Sequence, residues 1–233
     1  MIVGPDVVRG GLILHLDAGS PRSYTGSGTT WTDLSGNDRN LTLVNSPTFT
    51  SVNGGSIVFD GLNHYANRPS AIGSSGFDPF SMAAWIYPSN INQNGGIVHN
   101  GRETGSTGDG CSMMISDGFG NTGNKLTILN NGRGFIQTNY TFPAANAWYH
   151  VVVTKSASDN YRSYVNGIER SNTNSSTPSN QTSNFSVGSL DPLNGLTGNR
   201  FNGRIPIVHY YNRALSATEV LQNYNAQRAR FGL

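Results

Sequence analysis

Short runs in which apolar and polar residues alternate recur along the chain, each closed by Gly, Asn, Ser or Thr. In "GLILHLDAG", Leu12, Leu14 and Leu16 fall on one face and Ile13, His15 and Asp17 on the other, the period-two pattern of a β-strand. "FSMAAWIYP" alternates Phe80, Met82, Ala84 and Ile86 with Ser81, Ala83, Trp85 and Tyr87, so both faces of that strand are expected to be covered. Further strands are predicted at "GGSIVFDG", "GGIVHNG", "CSMMISD", "KLTILNNG", "GFIQTNY", "WYHVVVTKS", "NYRSYVNGIER", "NFSVGSL" and "FNGRIPIVHYYN". Within "NYRSYVNGIER", Asn166-Gly167 predicts a type I′ hairpin turn, because both central positions of that turn take positive φ. The pattern changes only near the end. Ser216 and Glu219 stand at capping-box spacing, Val220, Leu221, Tyr224 and Ala226 give an apolar side, and Gly232 marks a stop. One short amphipathic helix is predicted there, with Gln222, Asn223, Asn225 and Arg228 turned mostly elsewhere.

Roughly a dozen short strands with no alternation of strand and helix define an all-β protein. Strands covered on both faces favour an antiparallel jelly-roll β-sandwich over a barrel. No repeat or linker divides the chain, so residues 1–11 read as an N-terminal extension and 12–233 as one domain carrying one short C-terminal helix. The tract at 171–184, "SNTNSSTPSNQTSN", is an exposed loop or a binding loop. Pro206 cannot donate to a ladder, so its strand lies at an edge or is bulged there.

Composition narrows the picture. Of 233 residues only 12% are charged while 10% are aromatic, which marks a loop-rich β composition and not a disordered one. A net charge of +2 with scattered Lys and Arg gives no electrostatic footprint for nucleic acid. Cys111 stands alone, which suits folding in a reducing compartment, and beside Met113 and Met114 it reads as core. The start carries no cationic leader with a long apolar run, so no signal peptide is expected, and no stretch approaches a membrane span. The sequons at Asn40, Asn139, Asn174, Asn180 and Asn184 are then by-products of composition.

Five stretches resemble one known family. "WYHVVVTKSASDNYRSYVNGIER" resembles the hairpin of laminin-G-like, concanavalin A-like domains, and "FSMAAWIYP" is similar to their strand carried by Phe80, Trp85 and Pro88. "SIVFDG" at 56–61, "FNGRIPIVHYYNRALSATEV" at 201–220 and "WTDLSGNDRNLTLVNSPTF" at 31–49 look like further family segments, in family order. The resemblance implies a concanavalin A-like sandwich, closed around Trp85, Trp148 and aliphatic neighbours. It also implies a C-terminal segment packed across the sandwich to cover an edge or rim. More narrowly, "GLILHLDAGSPRSYTGSGTTWTDLSGN" and "YNAQRARFGL" resemble such domains in tailed-bacteriophage structural proteins.

That narrower resemblance implies a non-enzymatic virion structural protein, a capsid decoration or a tail or fibre component. It would be made in the host cytoplasm and would dock on other virion proteins, with homo-oligomerisation expected from the usual closed symmetry. The alternative is a carbohydrate-binding adhesion module touching host surface glycans. A bacterial surface protein is a third reading, weakened by the missing leader. Relatives of the fold include glucanases with paired carboxylates; here Glu103, Glu169 and Glu219 are far apart in sequence, so no enzyme is expected. His15, His64, His99, His150 and His209 are nowhere spaced as a metal pair on one element, and His150 reads as structural. "TDLSGNDRN" sets oxygen donors at Asp33, Ser35, Asn37 and Asn40, with Asp60 or Asp17 as further ligands. Such a loop serves calcium or forms an Asx-type turn. His64 stands where relatives often carry an acid, which counts against a family calcium site there. The fold resemblance also implies sugar-stacking aromatics, for which Tyr24, Trp31, Tyr65 and Tyr140 lie near loop-like segments, as rim or core residues or as ligand contacts.

Overall fold

The computed structural model describes residues 5–73, 78–103, 108–175, 183–193 and 198–233. Asn180 and residues 176–182 of the polar tract lie outside them, as do residues 1–4 of the N-terminal extension. In chain order the strands are β1 (Leu12–Asp17), β2 (Thr30–Trp31), β3 (Leu41–Val44), β4 (Thr48–Thr50), β5 (Ser56–Asp60), β6 (Tyr65–Arg68), β7 (Phe80–Pro88) and β8 (Gly95–Arg102). There follow β9 (Asp109–Ser116), β10 (Lys125–Asn130), β11 (Gly134–Thr141), β12 (Tyr149–Lys155), β13 (Asn160–Val165), β14 (Ile168–Asn174), β15 (Asn184–Val187) and β16 (Asn202–Tyr211). The helix α1 (Ala217–Gln227) and a 3-10 turn (Arg228–Phe231) close the chain. The surplus over the strands expected from sequence comes from the short β2, β3, β4 and β6, two to four residues long, too short to display a period.

The strands form two eight-stranded sheets. Sheet A runs β14-β13-β12-β7-β16-β5-β4, with β1 also paired to β16, and sheet B runs β11-β10-β9-β8-β15-β6-β3-β2. All the pairings are antiparallel. The fold is thus an antiparallel sandwich with a single short C-terminal helix. The hairpin β13–β14 turns at Asn166 (φ 53°) and Gly167 (φ 78°), as a type I′ turn requires. Strand β16 is central, and its register against β7 shifts between Arg204 and Ile207. Pro206 sits in that bulge, where β16 changes partner from β5 to β1; its carbonyl accepts from Ala18 N at 2.8 Å. A second bulge lies between Leu12 and Leu14. It turns Leu12 to the outer side of sheet A and Ile13 toward the core, against the simple alternation.

Between the sheets, Phe80, Met82, Ala84 and Ile86 from β7 meet Cys111, Met113 and Ile115 from β9 and Leu126 and Ile128 from β10. Burying side chains of this size contributes about 1.5–3 kcal/mol each. Trp31 belongs to this inner core, fully buried. Trp85 and Trp148 do not. They lie on the outer face of sheet A with Ile207 and Phe231, a separate cluster beneath the C-terminal segment. The expectation that the sandwich closes around Trp85 and Trp148 is corrected here, because alternation in β7 sends Trp85 to the face opposite Phe80.

Helix α1 therefore covers a sheet face and not an edge or rim. Ser216 Oγ accepts from Glu219 N at 3.3 Å and Glu219 Oε2 accepts from Ser216 N at 2.9 Å, the capping box expected from sequence. Arg213 adds a two-point ion pair to Glu219, at 2.6 and 2.9 Å. Val220 and Tyr224 pack against the sheet as the apolar stripe predicts, but Asn223 is buried beside them while Leu221 is exposed, two departures from that stripe. Asn223 can be buried because its Oδ1 accepts from Val8 N at 2.8 Å and its Nδ2 donates to Tyr211 Oη at 3.0 Å, so the buried amide is satisfied on both sides. Among the described residues no helix is long and apolar enough to cross a membrane.

Candidate functional site

The aromatic and acidic residues singled out from sequence do not converge on one site. Trp31, buried between the sheets, offers no face to a ligand. Tyr65 lies on β6 under the guanidinium of Arg200, 4.8 Å from its ring centroid, and Tyr140 lies on β11 under Arg170 at 5.0 Å. Each has one face taken by a cation–π contact. Tyr24 lines a cleft.

The donors expected for calcium fold into a local turn. Asp33 accepts from His15 N, Ser35 N and Ser35 Oγ through 2.8–2.9 Å contacts and from Arg39 N at 3.1 Å. Asn40 Oδ1 accepts from Asp33 N, and Asn37 Nδ2 donates to Ser35 Oγ. Asp60 accepts from the backbone N–H groups of Leu62, Asn63 and His64; burial raises its pKa, but these bonds outweigh burial and leave it lowered. Asp17 is held by Arg230 at 2.7 Å. Every named carboxylate thus serves local N–H or guanidinium donors, and no three His, Cys, Asp or Glu side chains gather as metal ligands among the described residues. The loop has the hydrogen bonding of an Asx-type turn.

His150, His209, Glu169 and Glu219 are engaged in packing contacts or ion pairs. His150 is buried against Trp85 and Tyr224, with ring centroids 5.2 and 6.1 Å away, and burial pushes its pKa down to about 3. His209 stacks edge-on against His15 at 4.7 Å. Glu169 pairs with Arg162 at 3.3 Å, and Glu219 serves Arg213 and the helix cap.

The cleft at Tyr24 has about 400 Å³ and opens where the chain crosses from the β2–β3 edge of sheet B to the β4 edge of sheet A. Tyr24, Leu43, Pro47 and Phe49 form its floor, with the Tyr24 and Phe49 rings 5.6 Å apart and inclined by 54°. Exposed Ser27, Thr29, Ser46 and Thr48 set hydroxyls on its rim. Tyr24 Oη donates to Gly28 O at 3.0 Å, pinning the loop that forms one wall, and burial raises the phenol pKa. Asn45 and Ser46, both with φ near 60° (62° and 60°), make the crossing to β4. Gly26 and Gly28 shape this wall through their positive φ (91° and 87°), and a Cβ at Gly26 would lie in ordinary contact, 3.6 Å, with two atoms of the Phe49 ring. Sequence reasoning missed Phe49, which stands in a three-residue edge strand with no period to expose it. It also missed Phe119 and Phe135, which are 64% and 39% exposed on the far edge of sheet B.

A larger cleft of about 700 Å³ with mixed polar and apolar walls lies on the outer side of sheet A, beside the start of α1, with Asn160, Arg162 and Arg213 among its lining residues. It presents no accessible aromatic face, since its Tyr164 is 1% exposed.

Two stacked antiparallel sheets form a jelly-roll sandwich with an aromatic-floored, hydroxyl-rimmed cleft at their seam. Residues 59–221 match the family described as the concanavalin A-like lectin/glucanases superfamily, and the chain belongs to it. Among solved structures, domain 4 of AbnA, a GH43 extracellular arabinanase from Geobacillus stearothermophilus solved with arabinotriose, superposes with a TM-score of 0.70 at 16% identity. That match covers 91% of this chain and 98% of the other. The binding domain of Paraclostridial Mosquitocidal Protein 1 gives 0.68 at 20% identity, covering 93% of this chain and 52% of that one. Trypanosoma rangeli sialidase gives 0.67 at 17% identity over 94% and 33%. The chain therefore spans about half of the toxin domain and a third of the sialidase. At these identities the likeness is one of fold. No curated protein sequence matches.

Proposed function

We propose that this protein is a non-catalytic binding module that takes a glycan at the seam cleft. One observation carries the reading: the cleft joins a partly exposed aromatic ring, Phe49, to a rim of four hydroxyl side chains in a concave space of about 400 Å³. A sugar ring has an apolar C–H face and a polar edge, so an aromatic floor with hydroxyl partners is complementary to it. Similarity to an arabinanase domain solved with arabinotriose and to toxin binding domains supports a binding role over a catalytic one. Calorimetric titration with arabinotriose and a panel of immobilised oligosaccharides tests it. Saturable binding to at least one member is expected, and a panel without hits contradicts the reading.

A setting is proposed with it. The stretch at 11–37 and the ending at 224–233 resemble tailed-phage structural domains, which favours a capsid, tail or fibre protein whose seam faces outward to host glycans. Mass spectrometry of purified particles should find the chain at a copy number tied to capsid or tail symmetry. Sugar binding without particle association would instead favour a free-standing adhesion module.

A further inference from the structure

We infer that the seam cleft selects uncharged sugars and rejects acidic ones, a conclusion that rests on the proposed glycan-binding reading and names the class of ligand. None of the residues lining it is Asp, Glu, Lys, Arg or His. Its floor is apolar: Leu43 and Pro47 are buried and the Tyr24 hydroxyl is spent on Gly28 O. Its polar groups are neutral hydroxyls at the rim. A sialic or uronic acid carboxylate seated there would lose water and gain no cation, and an unpaired charge taken out of water is strongly disfavoured. Neutral hydroxyls on the ligand, by contrast, exchange hydrogen bonds with Ser27, Thr29, Ser46 and Thr48 at little net cost.

The geometry also orients such a ligand. The position a Cβ would take at Gly26 lies 3.6 Å from Phe49 Cδ1 and Cε1, an ordinary van der Waals contact. The missing side chain leaves room for a C–H group of the ligand above that ring. At Gly28 a Cβ would meet nothing within 4 Å, so the cleft is open to solvent on that side. The cationic side chains that could hold an acid lie elsewhere, Arg200 over Tyr65 and Arg162 in the larger cleft beside α1. No guanidinium is among the residues that line the aromatic cleft.

The test pairs neutral oligosaccharides with their sialylated or uronic acid counterparts on one array, read with the full chain and with Phe49→Ala and Phe49→Leu. The leucine variant keeps the floor apolar and removes only the aromatic face, and its thermal melt reports folding. The expected result is binding to neutral members, acidic counterparts at least tenfold weaker, and at least tenfold loss in both variants with Phe49→Leu still folded. Binding that depends on Phe49 but favours the acidic members overturns this inference and leaves the glycan reading standing. No binding by any member, or binding indifferent to Phe49, overturns the reading itself.

Discussion

The ring of Phe231 stacks on the indole of Trp85, centroids 4.2 Å apart and planes inclined by 29°. Trp148 closes the other side at 4.5 Å, and Trp85 Nε1 donates to Gln227 Oε1 at 2.9 Å. The C-terminal segment is thereby fastened to the outer face of sheet A by rings and by a satisfied indole N–H. Phe231→Ala should cost about 3–5 kcal/mol of unfolding free energy, the range for removing a buried aromatic. Urea unfolding followed by tryptophan fluorescence measures it. A change below about 1 kcal/mol would mean the segment is not fastened as described.

Beneath the same segment, acid should loosen the fold. His150 is buried with both ring nitrogens lacking a hydrogen-bond partner, and burial holds its pKa near 3, at about 3 against an ordinary 6.5. Burial also lowers His209 well below its ordinary value, with repulsion from His15 and His150 adding to it. Above pH 6.5 both imidazoles are neutral folded and unfolded, and they cost nothing. As pH falls below 6.5 the unfolded chain takes up protons that the native state refuses, so stability drops by roughly 1.4 kcal/mol per pH unit for each imidazole. The loss at His150 continues to about pH 3. Glu219 acts in the same direction. Its hydrogen bonds and ion pair with Arg213 hold its pKa at about 2, so its contribution is present above 4.5 and fades toward 2. Denaturation midpoints between pH 7 and pH 4 check this. His150→Phe, which keeps a ring between Trp85 and Tyr224, should flatten the slope; an unchanged slope would remove His150 as its source.

The cap of α1 offers a smaller and more local effect. Ser216→Ala removes the hydroxyl that accepts from Glu219 N, and should cost about 1 kcal/mol. Because Arg213 also grips Glu219, Ser216→Ala combined with Arg213→Ala should cost more than the sum of the separate changes or less, but not equal to it. Additive values from a double-mutant cycle would show that the two supports act independently.

Much of this architecture was legible in the order of residues. Alternation in "FSMAAWIYP" fixed both faces of β7, Asn166-Gly167 fixed the β13–β14 turn, and Ser216 with Glu219 fixed the start of α1. What alternation cannot say is which face meets the opposite sheet, since a period of two is symmetric. Trp85 and Trp148 therefore read as inner core and prove to be outer, while Trp31, in a two-residue strand, is left open between core, rim and ligand contact and proves buried. Asn223 was legible as polar but not as buried, because its partners Val8 and Tyr211 lie 215 and 12 residues away. The cleft was legible only at Tyr24. Gly26, Ser46 and Phe49 become neighbours through the crossing between sheets, which no local pattern encodes.

Trp31 tests the distinction between core and site. Its Nε1 has no hydrogen-bond partner, so Trp31→Phe removes an unsatisfied buried donor while keeping most of the ring. It should cost no more than about 1.5 kcal/mol, against about 3–5 kcal/mol for Trp31→Ala. Glycan affinity of the folded Phe variant should stay within twofold of the parent chain; a larger fall would return Trp31 to the ligand contacts.

A two-dimensional NMR titration of the isotope-labelled chain with the tightest-binding oligosaccharide addresses the seam cleft most directly. The account predicts amide shifts centred on Gly26, Ser27, Gly28, Ser46, Thr48 and Phe49. Shifts centred instead on Arg162 and the start of α1, or on Phe119 and Phe135, would contradict it.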